Sequence, residues 1–491
     1  MDPLFEIEME RPVPGSGEAG RLLYCQLKDA IHDGRLAAGT QLPASRKSAA
    51  FFGLSRNTVA EVYARLSNDG LVVARHGSGT YVAHLAPEPA SLPSPGSPYP
   101  LNPFWLREDV TTAMGFWRDD LSVVPRARRA MDFRPALIDS RLFPFDVYRR
   151  ISAKQLIGLE KKPPPSKSPQ GNQGNFHLRE AITSHIALTR AVVCRSDNVV
   201  VTAGAQQAFD LLARILVTPD ETVVAVEDPG YPPMRVAFAA AGARIVPVEV
   251  DEEGLVVDSL PAGVGVICVC PSHQFPLGVT MSKRRRVALV DFARRHGAVI
   301  VEDDYDGEFR FGDNPLPSLR ASDAADVVFY VGTFSKCMLP SLRLGFVVVP
   351  DWARRTLIAA KNCLDWHCST PLQTGVSAFI AEGHLARHVR KLRQIYGKRR
   401  QLLYALLRRD FSDWLEPIPS LYGMHVAAWA RNGVDLDGAV QALAGRAVKI
   451  HTLGRYHLRQ PSRPGLVFGY GVVDLAEIER GLAALREVLA R

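Results

Sequence analysis

Lys336 closes the run Gly332-Thr-Phe-Ser335-Lys336, with Arg343 shortly after it and Asp303-Asp304-Tyr305 upstream. A lysine that follows an apolar run and sits in a Thr/Ser/Gly turn suits an amine held in a crevice at the C-terminal end of a strand. Alone it would read as an ordinary surface lysine; its neighbours change the reading. Asp303 ends another apolar run, where an unpaired carboxylate is costly. Opposite a protonated ring nitrogen it is satisfied, and it keeps that nitrogen charged. Tyr305, two positions on in an extended chain, falls on the same side and can hydrogen-bond a phenolic oxygen, whereas Asp304 faces away and reads as structural. Gly204-Ala205-Gln206 lies between a strand and a helix start, a position that binds phosphate. Ser335 and Arg343 add a hydroxyl and a guanidinium, and Tyr231 in Glu227-Asp-Pro-Gly-Tyr231 offers a stacking face. A Schiff-base lysine, a ring carboxylate, anion binders and a stacking surface are the requirements of a pyridoxal 5′-phosphate (PLP) site.

The elements that must position these residues are legible in the patterning. Apolar strand-like runs at 199–202, 222–227, 244–250, 264–270, 298–303, 327–332 and 344–349 alternate with helical runs such as 205–217 and 283–296. That rhythm predicts an α/β domain with a largely parallel sheet. A helical stretch at 351–409 and a smaller C-terminal α+β section follow. The insert 161–175, rich in Pro, Gly and Lys, reads as a loop able to supply ligand contacts.

The first eighty-odd residues carry a different signature. Leu22, Leu23, Leu27, Ala30 and Ile31 recur with a helical period. Ser45 is expected to cap a second helix to about Phe52 and Ser55 a third to about Asn68, with Val59, Val62, Tyr63 and Leu66 inward. Two strand-like pieces, 71–75 and 80–83, flank Gly77-Ser-Gly79 and predict a hairpin wing. Such a module lays its third helix in a major groove, so Ser55, Arg56, Asn57 and Thr58 fall where base edges are read. Between Arg35 and His84 six basic residues face two acidic ones, an excess suited to phosphate. Gly77 and Gly79 permit close backbone approach.

At 491 residues the chain is long enough for two or three domains. Its net charge of +8 permits a polyanionic partner without establishing one. No run approaches membrane-span length, the N-terminus has no signal-peptide pattern, and the seven cysteines form no C-x-x-C pair. Cys268 and Cys270 read as small buried hydrophobes, and Cys363, His367 and Cys368 fall short of a metal set, so no metal is expected. A reducing, cytoplasmic setting follows. The stretch 87–100 holds six prolines and predicts a semi-rigid linker.

Gln41-Leu-Pro-Ala-Ser45-Arg46, Leu54-Ser-Arg-Asn-Thr-Val59, Gly70 and Gly77-Ser-Gly-Thr-Tyr-Val82 resemble the GntR family of bacterial regulators. That resemblance implies DNA contacts from Arg46 and Arg56. Thr202-Ala-Gly-Ala-Gln206, Pro271-Ser-His-Gln-Phe-Pro276, Val301-Glu-Asp-Asp-Tyr-Asp306 and Gly332–Lys336 resemble fold-type I aminotransferases, in the wording of the MocR/GabR subfamily of GntR regulators. Phe275 stands where free-standing aminotransferases carry asparagine. The implied architecture is an α/β protein: a winged helix-turn-helix at 18–84, a Pro-rich linker at 85–130 and an aminotransferase-like PLP domain at 131–491. The implied function is a PLP-dependent transcription regulator that binds double-stranded operator DNA and senses an amine or amino acid, or PLP itself. A homodimer with exchanged DNA-binding domains is implied too. The alternative is a working aminotransferase with an accessory DNA-binding domain. Arg463-Pro-Gly-Leu466 matches an effector-carboxylate arginine of GABA-sensing members, but Pro232-Pro233 stands where a second arginine is expected, which makes GABA a poor candidate.

Overall fold

The computed structural model describes residues 19–75, 78–83, 101–115, 130–163, 172–312, 317–431, 433–459 and 463–490. They fall into two compact units, Met1–Asn102 and Pro103–Arg491.

The first unit contains α1 (Ala19–His32), β1 (Gln41–Leu42), α2 (Ser45–Phe52), α3 (Arg56–Asn68), β2 (Val72–Arg75) and β3 (Gly79–Val82). β2 and β3 form an antiparallel hairpin, and β1 pairs with the free side of β3. On α3 the buried residues Val59, Val62, Tyr63 and Leu66 follow an i, i+3, i+4, i+7 spacing and pack with Leu23, Leu27 and Ile31 of α1. Each such apolar side chain contributes roughly 1.5–3 kcal/mol when fully buried. A buried polar clasp fixes α2 on α3: Ser48 Oγ lies 2.8 Å from Tyr63 Oη, which also donates to the Pro43 carbonyl at 3.1 Å. Ser55 caps α3 as expected, accepting from the Thr58 amide at 3.1 Å. Ser45 does not cap α2. The cap position is Ala44, whose carbonyl receives the Lys47 and Ser48 amides, so the helix begins one residue before the serine can act.

In the second unit, α4 (Glu108–Met114) lies within the stretch read as linker, yet its Val110 and Ala113 pack on Val236 of α8 (Pro232–Ala240). β4 (Met131–Asp132), α5 (Phe145–Lys161) and α6 (Phe176–Arg190) lead into the main sheet. Its strands are β5 (Val199–Thr202), β6 (Val223–Asp228), β7 (Arg244–Asp251), β8 (Gly254–Leu255), β9 (Val264–Val269), β10 (Val299–Asp304), β11 (Val328–Thr333) and β12 (Gly345–Val348). The spatial order is β5-β12-β11-β10-β9-β6-β7-β8. β7, β6, β9, β10 and β11 run parallel, and β12 is antiparallel to both its neighbours. The strands are apolar on both faces because both are covered. Val224, Val266, Val301 and Val331 face α7 (Ala205–Leu216), α8 and α10 (Arg354–Leu364), while Ala225, Ile267 and Ile300 face α9 (Lys283–His296).

The helical stretch predicted at 351–409 resolves into α10, α11 (Thr370–Ala381) and α12 (His384–Asp410). Trp366, with φ +61°, ends one segment, Pro371 opens the next, and Gly383, with φ +74°, separates the last two. The C-terminal section adds the antiparallel sheet β13-β14-β17-β16 from β13 (Leu415–Pro417), β14 (His425–Ala430), β16 (His451–Thr452) and β17 (Gly465–Gly469). β15 (Val448–Lys449) pairs with β4, and α13 (Leu436–Ala444) and α14 (Leu475–Leu489) flank the section. Among the described residues no helix is long and apolar enough to cross a membrane.

Candidate functional site

A cavity of about 650 Å³ opens where β10 and β11 end. Tyr231, Asp303, Tyr305, Ser335, Lys336 and Arg343 all line it, as do Ala205 and Gln206 at the start of α7. Gly204 stands just behind. Its φ is +79°, and a Cβ there would fall 3.0 Å from the Arg343 guanidinium, so glycine allows that arginine to lie across the helix start. The sequence therefore converges on one place from five separate strand ends and turns.

Each side chain is held by local structure. Thr333 Oγ1 lies 2.9 Å from Ser335 Oγ and accepts from the Ser335 amide at 3.2 Å, which fixes the turn that presents Lys336. Arg343 has a left-handed backbone and donates to the Ala203 carbonyl at 3.2 Å. Tyr231 meets Phe275 edge to face at 5.6 Å. Lys336 is partly buried and donates from Nζ to the Ala136 carbonyl. Burial lowers its pKa to about 8; Asp306 and Asp303 oppose that shift and Arg343 adds to it. Burial pushes Asp303 up to about 8, with the Asp304 and Asp306 carboxyls contributing. Asp304 points away from the cavity, as expected, into a buried ion pair with Arg190 at 2.6 Å and a hydrogen bond from Tyr330 at 2.5 Å.

These residues fit PLP. The Asp303 Oδ1 atom is buried without a hydrogen-bond partner, and Oδ2 has only the Cys270 thiol at 3.8 Å. A buried carboxyl in that condition is matched by a protonated ring nitrogen. Arg343, Ser335 and the first turn of α7 supply a guanidinium, a hydroxyl and a helix N-terminus for a phosphate.

Arg463 does not join the site. It is absent from the cavity wall, pairs with Glu416 at 2.5 Å and lies over the Trp429 ring at 5.6 Å. β17 begins two residues later and holds the segment against β14, which turns Arg463 to the outer surface. The cavity wall instead includes residues with no local signal: Met114 from α4, Ala136, Leu137 and Ile138, and Leu339-Pro340-Ser341. Among its lining residues Lys336 and Arg343 are the cations.

In the first unit, Arg46, Ser55, Arg56 and Asn57 are exposed at the starts of α2 and α3, while Ser45 and Thr58 are partly buried. Ser55 and Thr58 commit their hydroxyls to each other at 2.9 Å. Arg56 and Asn57 thus remain the outward side chains of that turn. Gly79 has φ +112°, which only glycine adopts readily. Gly77 lies outside the described residues, as do 164–171 of the insert at 161–175.

Residues 20–82 match the family "Bacterial regulatory proteins, gntR family", and residues 154–427 match "Aminotransferase class I and II". The chain is 33% identical over 481 residues to the probable rhizopine catabolism regulatory protein MocR of Rhizobium meliloti, covering 95% of this chain and 92% of that protein. It is 29% identical over 468 residues to the HTH-type pyridoxine biosynthesis transcriptional regulator PdxR of Corynebacterium glutamicum, covering 95% and 94%. A solved kynurenine aminotransferase of Pyrococcus horikoshii shares the fold of the larger unit, with a TM-score of 0.67, 24% identity and coverage of 74% of this chain and 91% of that one. With both family matches in one chain and a MocR relative spanning nearly its whole length, the chain belongs to the MocR/GabR type of GntR-family regulators, a GntR helix-turn-helix joined to a fold-type I aminotransferase domain.

Proposed function

We propose that this protein is a PLP-dependent, DNA-binding transcription regulator that senses an amine or amino acid. The observation that carries the reading is the convergence of Lys336, Asp303 and Arg343 on one cavity in a chain that also carries a GntR reader. When bound, PLP supplies an aldehyde that bonds amines reversibly and a ring that withdraws electrons. Lys336 would hold it covalently, Asp303 keeps a proton at the ring nitrogen, Tyr231 offers its face, and Arg343 with Ser335 and the start of α7 binds the phosphate. The lowered pKa of Lys336 leaves a useful fraction of neutral amine near physiological pH. An amine effector competes with Lys336 for the same position. It alters operator binding only if it favours one state of the protein over another. With Arg463 on the outer surface, an effector's carboxylate has no arginine besides Arg343 in the described cavity wall, which favours effectors that need no such clamp. The alternative of a working aminotransferase rests on the same lysine and carboxylate; Phe275 in the wall, where such enzymes carry asparagine, argues against it.

Arg46, Arg56 and Asn57 are proposed to contact operator DNA, and a homodimer with exchanged readers and two half-sites is proposed with them. A cytoplasmic setting accompanies this reading. The test is operator binding by the PLP-loaded protein across a panel of amines. The expected result is a shift with some amine that disappears in Lys336→Ala. A full response in Lys336→Ala would overturn covalent sensing. A large shift with PLP alone, and none with any amine, would make the cofactor itself the effector. Steady multiple-turnover keto-acid formation would favour the enzyme.

A further inference from the structure

Behind the cavity wall lies a buried group that the cofactor reading leaves unused: His273, Asp306 and His425. His273 Nδ1 is 3.0 Å from Asp306 Oδ2 and 2.8 Å from the hydroxyl of Tyr305, which does line the cavity. The same hydroxyl lies 3.1 Å from the carbonyl of His273. The imidazole is closely packed against two glycines. A Cβ at Gly423 would fall 1.8 Å from its Cε1, and one at Gly278 would fall 3.2 Å from its Nε2. The His425 ring sits 4.4 Å away, anchored by donation from Nε2 to the Pro276 carbonyl at 2.9 Å. His273 Nε2 has no partner, so the ring's polar commitment runs through Nδ1.

Proton counting then fixes the geometry. An imidazole nitrogen carries either one proton or one in-plane lone pair. If Nδ1 carries the proton, it donates to the Asp306 carboxylate and has nothing with which to accept from Tyr305. If Asp306 carries the proton, it donates to Nδ1 and fills the only lone pair. Either way the Asp306 contact spends Nδ1. The Tyr305 proton is left with the weaker choice of the His273 carbonyl or a direction into the cavity. Without Asp306, the Nδ1 lone pair would capture that proton.

We propose that Asp306 is a positioning residue that blocks His273 and so keeps the Tyr305 hydroxyl available as a donor to the ligand in the cavity. This rests on the PLP reading, in which that ligand is the cofactor's phenolic oxygen. Besides His273, the groups facing Asp306 include His425 of β14, Asp303 and Asp304 at the end of β10, Lys336, Glu308 and Tyr470. Burial and the Asp304 and Glu308 carboxyls disfavour its charged form and Lys336 favours it, while burial keeps His425 neutral; in either form of Asp306 its contact occupies Nδ1.

The test uses the full-length protein reconstituted with PLP, read by the visible absorption spectrum and the PLP dissociation constant. Asp306→Ala is expected to reproduce the altered spectrum of Tyr305→Phe and to weaken PLP roughly tenfold to a hundredfold, the size of one lost hydrogen bond to a charged group. Asp306→Asn, whose amide still donates to Nδ1, is expected to keep the wild-type spectrum. Adding His273→Phe to Asp306→Ala removes the competing lone pair and is expected to restore it. An unchanged Asp306→Ala, or a shift that His273→Phe does not relieve, would overturn the proposal. Should Asp306→Ala fail to fold, Asp306→Ser, too short to reach Nδ1, is read in the same way. A wild-type protein that takes up no PLP would overturn the cofactor reading, and this inference with it.

Discussion

Arg56 and Lys336 are both cations placed at the end of a regular element, and the fold treats them in opposite ways. Arg56 stands exposed on the first turn of α3, its guanidinium in water. Lys336 sits in a cavity wall among Asp303, Asp306 and Arg343, and burial draws its pKa down to about 8. The difference follows from what each would bind. A phosphate backbone is met by a permanent, solvated charge that releases counterions. An aldehyde is met by a neutral amine, which requires a site that penalises charge.

Breaking the comparison at its strongest point, Lys336→Ala is expected to abolish borohydride-trappable PLP entirely while operator binding by the apo protein persists. Mass spectrometry of the trapped protein checks the first part and gel shift the second. Arg56→Ala is the mirror experiment. It is expected to weaken specific operator binding roughly tenfold to a hundredfold, from about 1–3 kcal/mol per base-reading arginine, with the PLP spectrum unchanged. Unchanged affinity would remove Arg56 from the reading surface.

A pH series sharpens the contrast. The Lys336 pKa lies below its ordinary value, so the neutral amine gains as pH rises and is dominant above about 8. The rate of PLP attachment to the apo protein is expected to climb up to about tenfold per pH unit below that point and to level off above it. An ordinary lysine would keep climbing to about pH 10. The smallest effect is expected at Arg463. Its ion pair with Glu416 is exposed on both sides, so Arg463→Ala is expected to cost at most about 1 kcal/mol of stability. It is expected to leave the amine response intact. Loss of that response would return Arg463 to the effector site.

The N-terminal helices and most strands of the main sheet were legible because their signals are local: apolar period, a capping serine at 55, glycines at turns. The cavity residues proposed to hold PLP were legible because each sits on a strand end or tight turn of its own, where a short motif suffices. Ser45 misled because a capping preference marks a helix start only to within a residue, and the Ala44 carbonyl was already placed to begin α2. Apolar spacing presents the long helical stretch as one, because Trp366 and Gly383 break it through backbone conformation, which spacing does not register.

By itself the sequence determined the two-part organisation, the alternation that builds a parallel sheet, and the lysine, carboxylate and turns that are proposed to hold PLP. Tertiary structure alone decided which of these share a cavity and what closes it. Met114 comes from α4, within the 85–130 stretch expected to be a linker, Ala136 supplies the carbonyl that holds Lys336, and Arg463 is turned outward by the pairing of β17 with β14. It also decided that His273 and Asp306 meet Tyr305 from behind. The reason is physical: periodicity and capping act over a few residues, whereas a cavity wall is assembled from segments whose proximity is fixed only when their apolar faces pack.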